Sequence, residues 1–351
     1  MQIKENIPLA PFTTLGVGGS ARFFAVVSTE NHVVDALSFA RARAIPVFTL
    51  GGGSNVVVAD SGFSGLVLKM EISGIQHAGG RVVVGAGVEW DAFVQHCVDR
   101  DLAGVEALSG IPGTVGGAPV QNIGAYGQEA CETIAVVRTW DTQSSEVVEL
   151  SRAECAFAYR SSVFNTSAAG RYIVLQAEFI LRPHIRPNLK YAELQKRFAA
   201  GYNPSLAEIR GAVIEIRKSK GMIFNSDDPD SRSAGSFFRN PVISRDEFTL
   251  MEQRARDGGI IASSEIIPCF DAPGGNVKLA AAWLIERSGF HRGYEHARAG
   301  ISTKHTLAIV NRGRASATEI ASLMRLIEEK VMASFGVVLR PEPVFVGDIC
   351  P

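Results

Sequence analysis

The sequence predicts an α+β fold with two to three domains. Its 351 residues suggest that number at about 150 residues per domain. Strand and helix patterns alternate in the first 70 residues, and two later helices carry capping-box signatures, at Ser205 with Glu208 and at Ser316 with Glu319. A hydrophobic fraction of 46% is enough for a sizeable core and excludes a disordered chain.

The first 70 residues are predicted to form one helix among several strands. The apolar run at 21–27 is typical of a strand, and 31–44 carries apolar residues at helical spacing. Further strands are expected at 46–50, 56–59 and 65–70.

A second module begins with a strand at 81–87. From Trp90 to Val98 apolar residues recur at i, i+3, i+4, i+7 and i+8, which predicts a helix with one buried face, and Gly104 is its expected stop. Strands are then expected at 135–141, 146–150 and 172–181.

The remainder of the chain is predicted to contain helices, one long loop and a closing strand. The Ser205 capping box predicts a helix to about residue 218, and 221–236 is polar and loop-like. Further helices are expected at 277–287 and 316–335, the second ended by Gly336. The segment 337–347 is predicted to be a closing strand.

Charge and apolar patterning exclude several classes of function. The chain has 35 Lys and Arg against 36 Asp and Glu, so it has no global basic field for nucleic acid or an anionic membrane. No apolar run reaches the roughly 18 residues of a membrane span, and the N-terminus lacks the apolar core of a signal peptide. We therefore expect a cytoplasmic protein.

Neither the cysteines nor the histidines predict a metal site or a disulfide framework. The five cysteines are odd in number and widely spaced, which is typical of reduced thiols. His291 and His296 are five residues apart and do not match the spacing of helical zinc ligands.

Glycine is frequent and clustered. It makes up 35 of 351 residues, and 51–55 reads GGGSN while 104–127 holds seven glycines and two prolines. Both clusters lack Lys and Arg. Glycine lets a backbone approach a ligand closely and lets successive N–H groups point into one concavity, which suits a phosphate. The clusters are therefore either a phosphate-binding backbone or turns of a β-rich domain, and the residues alone leave both open.

Two standard motifs are excluded by their context. The segment 16–21 matches G-x-G-x-x-A, but prolines precede it and a strand pattern follows, whereas a dinucleotide fingerprint needs a strand before and a helix after. Ser161 and Ser162 lack the G-x-S-x-G context of a serine hydrolase.

One family is matched by five blocks of sequence that occur in its order. These blocks are GGGSN at 51–55, SGIPGTVGGAPVQNIGAYGQE at 109–129, YRSSVF at 159–164, SAGSFFRNP at 233–241 and LRPEPVFVG at 339–347. Together they resemble the type I UDP-N-acetylenolpyruvoylglucosamine reductases, FAD-dependent enzymes of bacterial peptidoglycan precursor synthesis. The resemblance spans nearly the whole chain.

The resemblance implies a three-domain α+β flavoprotein with an FAD-binding region of the vanillyl-alcohol-oxidase (PCMH) type and a C-terminal α+β substrate-binding domain. The FAD-binding subdomains would be 1–70 and 71–218, the latter joined by a C-terminal strand at 339–351, and the substrate domain 219–338. Neither FAD loop contains His or Cys, so non-covalent FAD is expected. The residues that match the two FAD loops are Gly51, Gly52, Gly53, Ser54, Asn55, Gly110, Ile111, Pro112, Gly113, Thr114, Gly117, Asn122, Ile123, Gly124 and Ala125.

In this family NADPH passes hydride to the flavin, which passes it to the enolpyruvyl methylene of the substrate. The resemblance assigns the catalytic arginine to Arg160, whose guanidinium suits a carboxylate of growing charge. It assigns the proton donor to Ser236. It also assigns to Glu342 a role in assisting the carboxylate or the proton relay.

The resemblance further implies substrate contacts at Tyr191, Arg217, Lys220 and Asn240, with Lys220 and Arg217 as a basic contact for the diphosphate or the cofactor. Tyr191 matches a mobile tyrosine that covers the substrate, and 182–202 is long enough to carry such a lid. The expected partner is the small-molecule substrate, and a monomer is expected. Arg340 departs from the family pattern, because some members carry an acidic residue there.

Two other functions were weighed against the reductase. A flavin oxidase of the same superfamily is disfavoured by Ser236 and Glu342 in their motifs. A non-catalytic nucleotide-binding protein would be expected to keep the glycines and lose Arg160, Ser236 or Glu342, and all three are present.

Overall fold

The computed structural model describes residues 1–183, 189, 191–199 and 201–349. The chain divides into two compact units. The first comprises Met1–Ile7, Ala21–Gly53 and Ser64–Ile223, and the second comprises Pro8–Ser20, Ser54–Phe63 and the chain from Phe224 onward. Each unit combines helices and strands, so the α+β fold class is confirmed. The three-part division at 70 and 218 stays a prediction.

The first unit is built on two larger sheets. One sheet has four strands in the order Ile3–Pro8, Ser20–Val27, Phe63–Met70 and Val47–Leu50, and its last two strands are parallel. The other is antiparallel, with the strands Glu146–Ser151, Ile134–Asp141, Tyr172–Ile180, Arg81–Gly85 and Ile75–Ala78 in that order. The first unit also contains two separate two-stranded sheets, Gly124–Ala125 with Gln128–Glu129 and Leu102–Ala103 with Arg182–Pro183.

The described residues of the first unit form four α-helices: α1 (Glu30–Ala42), α2 (Trp90–Val98), α3 (Ala192–Gln195) and α4 (Leu206–Ser219). The helix α2 buries Trp90 and Phe93 against Phe179 of the second sheet, with Phe93 and Phe179 ring centroids 4.5 Å apart. Aromatic contacts of this kind add to the area that they bury. The helix α4 has the predicted capping box at Ser205.

In the second unit, three helices pack with small sheets. The helices are α5 (Arg245–Asp257), α6 (Ala281–Arg287) and α7 (Ala317–Phe335). One antiparallel sheet has the strands Val242–Ile243, Asn276–Leu279 and Cys269–Ala272 in that order. A second antiparallel sheet has the strands Glu295–His296, Ala299–Ile301 and Ile309–Asn311 in that order. The strand Val344–Val346 pairs in parallel with Val56–Val58.

Several predicted element boundaries differ from the structure. The helix α2 ends at Val98, and Gly104 follows the short strand Leu102–Ala103 rather than capping the helix. The first part of the helix expected at 277–287 is a strand, because Val277 and Leu279 are buried in alternation and pair with Cys269–Ala272.

The C-terminal strand also differs from its expected association. It was expected to join 71–218, whereas Val344–Val346 lies in register with Val56–Val58 in the second unit. A hydrogen bond from Val344 N–H to the Asn55 carbonyl begins this pairing. Sequence order carries no signal for a parallel partner almost 300 residues away, and residues 350–351 lie outside the described chain.

Among the described residues, no helix is long and apolar enough to cross a membrane. Four of the five cysteines are free thiols there, and the fifth, Cys350, lies outside the described residues.

The helix α7 carries a second N-terminal cap besides its predicted capping box. The Asp60 carboxylate accepts hydrogen bonds from the N–H groups of Ala317 and Thr318 and from the Thr318 hydroxyl, at 2.7–3.0 Å. Burial opposes ionisation, but these hydrogen bonds prevail and hold the pKa of Asp60 below its ordinary value. The charged form therefore stabilises the folded state.

We expect Asp60→Asn to lower the free energy of unfolding by about 0.3–1 kcal/mol at neutral pH, because the amide can still accept hydrogen bonds but the charge that favours the helix N-terminus is lost. Because the folded pKa is lowered, this contribution is present above the unfolded value of 3.8 and is lost as the pH falls through the folded value. Urea unfolding at several pH values would therefore show the wild type and the variant converging in acid. Asp35→Asn, on an exposed position of α1, is the control.

Candidate active site

The two glycine-rich loops meet in the first unit. A Cβ atom placed on Gly52 would lie 2.6 Å from the Gly113 Cα atom, and one placed on Gly51 would lie 2.7 Å from Thr114 Oγ1. Gly113 has φ of 116°, which favours glycine, and its carbonyl accepts from Trp90 N–H at 3.0 Å. The backbones of the loops are therefore in direct contact, and only glycine fits where they touch.

These loops fit a group that is held by main-chain dipoles. The Thr114 hydroxyl is buried and has no hydrogen-bond partner in the described part of the chain, which suits a ligand phosphate oxygen. Gly117 has open space where a side chain would be. Lys69 donates to the Gly51 carbonyl at 3.0 Å, and burial lowers the pKa of that lysine. The residues present therefore fit the pyrophosphate of FAD.

The start of the second loop is fixed on both sides of Gly110. Its N–H donates to Asp91 Oδ1 at 2.6 Å, and its carbonyl accepts from Arg217 Nε at 3.0 Å. Arg210 holds the same Asp91 through two hydrogen bonds. Arg217 is buried and also donates to Met222 O, so in this structure it positions the loop. Its predicted substrate contact stays a prediction.

Arg160 lies on a tight turn that is bound to the second loop. Ala158 and Ser161 exchange two backbone hydrogen bonds, and Arg160 between them has φ of 54°. This left-handed conformation is costly for a non-glycine residue and persists where the surroundings enforce it. The guanidinium donates through Nη2 to the Gly124 carbonyl at 2.8 Å. The structure therefore brings Arg160 to the second glycine-rich loop.

Two further residues bind this turn to the loop. Ser162 donates to the Val120 carbonyl at 2.6 Å, and Asn122 donates to the Ala158 carbonyl at 3.1 Å. Asn122 is fully buried, donates to Glu129 and accepts from Cys131 N–H. Asn122 was predicted to contact FAD, and the structure shows it joining the loop to the Arg160 turn.

Tyr191 and Lys220 meet around a residue that sequence analysis did not single out. Tyr126 has φ of 48°, and the Tyr191 ring lies edge-on to it with centroids 5.4 Å apart. Lys220 Nζ lies 6.0 Å from the Tyr126 ring centroid, and the charge of Arg217 acts on the Tyr126 hydroxyl. Burial raises the pKa of Tyr126. The one feature of the sequence that could have indicated Tyr126 is its place in the second glycine-rich loop, two residues after Gly124. Of the predicted lid at 182–202, residues 184–188, 190 and 200 lie outside the described chain.

In the second unit, Ser236 and Glu342 are brought close by backbone pairing. Glu342 N–H donates to the carbonyl of Phe237, the neighbour of Ser236, at 2.9 Å. Asn55 binds the backbone at 342–344: its side-chain amide donates to the Glu342 carbonyl at 3.2 Å, and its own backbone carbonyl accepts from Val344 N–H at 2.9 Å. Ser236 is half-buried and makes no side-chain hydrogen bond within the described residues. Three predicted residues therefore share one small region.

Asn240 has a structural partner in the same unit. Its side-chain carbonyl accepts from Ala281 N–H at 3.0 Å and so caps α6, which has no cap of its own at Ala280. The substrate contact predicted for Asn240 stays a prediction. The described residues contain no group of three or more His, Cys, Asp and Glu side chains that could hold a metal ion.

The contact between the loops gives a direct test. We expect Gly52→Ala to lower the free energy of unfolding by about 1–3 kcal/mol and to reduce the FAD content, because the new methyl group would collide with the Gly113 backbone. Thermal unfolding and the ratio of flavin to protein absorbance would measure both. Gly211→Ala, at an open position within α4, is the control and should keep FAD with equal or greater stability. Full FAD content in Gly52→Ala would contradict the predicted role of this loop.

Comparison with known proteins agrees with this geometry. A model described as an FAD binding domain matches residues 21–151, which contain both glycine-rich loops. A model described as the C-terminal domain of UDP-N-acetylenolpyruvoylglucosamine reductase matches residues 227–346. The fold and the loops thus define a flavoprotein oxidoreductase.

Full-length relatives narrow this class to one family. The UDP-N-acetylenolpyruvoylglucosamine reductase of Thermobifida fusca is 45% identical over 98% of both chains. That of Streptomyces coelicolor is 41% identical over 99% of this chain and 91% of the relative. The crystal structure of the reductase from Thermus caldophilus is 25% identical, covers 99% of both chains and has a TM-score of 0.68. The chain belongs to the UDP-N-acetylenolpyruvoylglucosamine reductase family, as the sequence motifs predicted.

Proposed function

We propose that the protein reduces UDP-N-acetylenolpyruvoylglucosamine to UDP-N-acetylmuramate with NADPH through non-covalently bound FAD. The activity of its relatives and the matched FAD-binding domain support this proposal. The observation that carries the proposal is the hydrogen bond from Arg160 to Gly124, because it joins the predicted catalytic arginine to the predicted cofactor loop. The near-zero net charge disfavours nucleic acid and anionic membranes as partners, and we propose that the protein acts in the cytoplasm as a monomer.

FAD held by the two glycine-rich loops would supply the hydride-transfer chemistry that links NADPH to the enolpyruvyl methylene carbon. Negative charge then grows on the substrate carboxylate, and Arg160 stabilises it. A planar guanidinium suits this task because it matches the geometry of a carboxylate. The rigid turn around Arg160 would hold that group in place before the reaction, which is what electrostatic stabilisation requires.

Ser236 donates the proton to the carbon adjacent to the carboxylate, and Glu342 assists the carboxylate or the proton relay. Support comes from the half-buried Ser236 hydroxyl, which has no other side-chain hydrogen bond among the described residues. The backbone hydrogen bond from Glu342 to Phe237 keeps Ser236 and Glu342 close to each other. A serine hydroxyl is a weak acid, so it depends on such neighbours for proton transfer.

Lys220 and Tyr191 bind the substrate within the first unit, Lys220 through the diphosphate and Tyr191 as a cover. Their meeting around Tyr126 supports this assignment. Arg217 and Asn240 complete the proposed contacts, each from a position that its structural partners already fix.

Absorbance spectra under anaerobic conditions test the proposal. We expect NADPH to bleach the flavin band of the purified protein and UDP-N-acetylenolpyruvoylglucosamine to restore it. A flavin that bleaches but is never reoxidised by this substrate would overturn the reaction and keep the cofactor. A protein that takes up no FAD would overturn both.

A further inference from the structure

The ammonium group of Lys220 already has an anionic partner in the structure. Glu193 Oε2 lies 2.7 Å from Lys220 Nζ. Glu193 is in the first turn of α3, and Lys220 caps the C-terminal end of α4. The two side chains keep 40% and 30% of their surface exposed, so an ion from solution can reach the pair.

The lysine of this pair is firmly placed. Tyr126, below the ammonium group, is itself part of the second glycine-rich loop, and the buried Arg217 binds the Gly110 carbonyl of that loop. A chain of contacts therefore connects Lys220 to the second glycine-rich loop. A fixed cation of this kind binds an anion with little loss of side-chain freedom.

The glutamate of this pair lies on the segment that carries Tyr191. Tyr191 is the N-cap residue of α3, two positions before Glu193, and its ring contacts Tyr126. The ion pair of Glu193 with Lys220 and the ring contact of Tyr191 with Tyr126 are therefore made by the same short segment of chain.

We propose that Glu193 is an internal competitor for the diphosphate of a nucleoside-diphosphate substrate, occupying Lys220 until that diphosphate displaces it. The inference rests on the proposed function in taking Lys220 as the diphosphate contact. Glu193 thereby weakens substrate and product binding alike. A diphosphate carries more charge than one carboxylate, so it can win this exchange, while singly charged anions compete poorly.

Inorganic pyrophosphate and UDP are the probes, with binding to the FAD-loaded protein measured by calorimetry in metal-free buffer. We expect Glu193→Gln to lower the dissociation constant of both by about three- to tenfold at low salt, because the competing charge is gone. The difference should shrink at high salt, since screening weakens partly exposed ion pairs.

Two variants make the result specific. Glu215→Gln removes the same charge from an exposed pair with Arg197 in the same unit, and its affinities should equal those of the wild type. In a Lys220→Met background, Glu193→Gln should have no effect. An unchanged affinity in Glu193→Gln, an equal gain in Glu215→Gln, or a gain that persists without Lys220 would each overturn the inference.

Turnover separates this inference from the proposed function. A wild type that reoxidises its flavin with the enolpyruvyl substrate, together with an unchanged KM in Glu193→Gln, would overturn the competitor alone. A wild type that binds pyrophosphate as described but does not turn over that substrate would overturn the reaction and leave the competitor in place.

Discussion

Replacement of Arg160 by alanine is expected to lower the rate of flavin reoxidation by UDP-N-acetylenolpyruvoylglucosamine by about 10²- to 10³-fold. The guanidinium stabilises charge that appears on the carboxylate only as hydride arrives, so its loss raises the barrier to that step. Reduction of the flavin by NADPH does not build this charge and should change far less. Stopped-flow measurement of the two half-reactions separates them.

Two further variants sharpen the Arg160 prediction. Arg160→Lys keeps the charge without the planar fork and should recover only part of the rate. Arg152→Ala removes an exposed arginine from the same part of the chain and should leave both half-reactions unchanged. Equal losses in both half-reactions of Arg160→Ala would point instead to damage of the loop at Gly124, to which Arg160 is bound.

Ser236→Ala is expected to slow the same reoxidation by about 10²- to 10⁴-fold, the usual contribution of a positioned proton donor. The protein should fold as well as the wild type, because the Ser236 hydroxyl makes no side-chain hydrogen bond among the described residues. FAD content and reduction by NADPH should also persist. The loss would then belong to proton transfer and not to stability.

The matched control is Ser226→Ala, an exposed serine of the loop that leads to Ser236. Its turnover should equal that of the wild type. The solvent isotope effect gives an independent readout, since removal of the donor should change the effect on reoxidation and not on reduction. A Ser236→Ala protein with full turnover would show that the proton comes from another group.

Local patterns predicted most of the longer strands and the helices α1, α2, α4 and α7, whereas α3, α5 and most of the short strands were not predicted. The capping boxes at Ser205 and Ser316 and the αL glycine at Gly336 appear as expected, because each depends on neighbours within four residues. The prediction of a helix beginning at 277 was wrong because the structure there depends on residues outside that segment. Its first residues pair with Cys269–Ala272, and strand pairing is decided by a partner outside the local window.

The candidate site was predictable in its residue types and less so in its connections. The glycine clusters indicate close backbone approach, and the contact of Gly52 with Gly113 follows that logic. The sequence carries no sign that Arg217 would be buried on the Gly110 carbonyl, or that Glu193 would pair with Lys220. Such contacts depend on tertiary geometry that spacing does not encode.

The two hydrogen bonds that join Asn55 to the backbone at Glu342 and Val344 have a consequence for mutagenesis. Asn55 belongs to the motif predicted to bind FAD, yet its amide and its carbonyl both hold the backbone around the predicted relay residue. An alanine at this position would perturb cofactor retention and the proton step together. In a genetic screen, substitutions of Asn55 would therefore impair both functions at once. Suppressor mutations would be expected in the RPEP segment at 340–343 as readily as in the glycine-rich loop at 51–55.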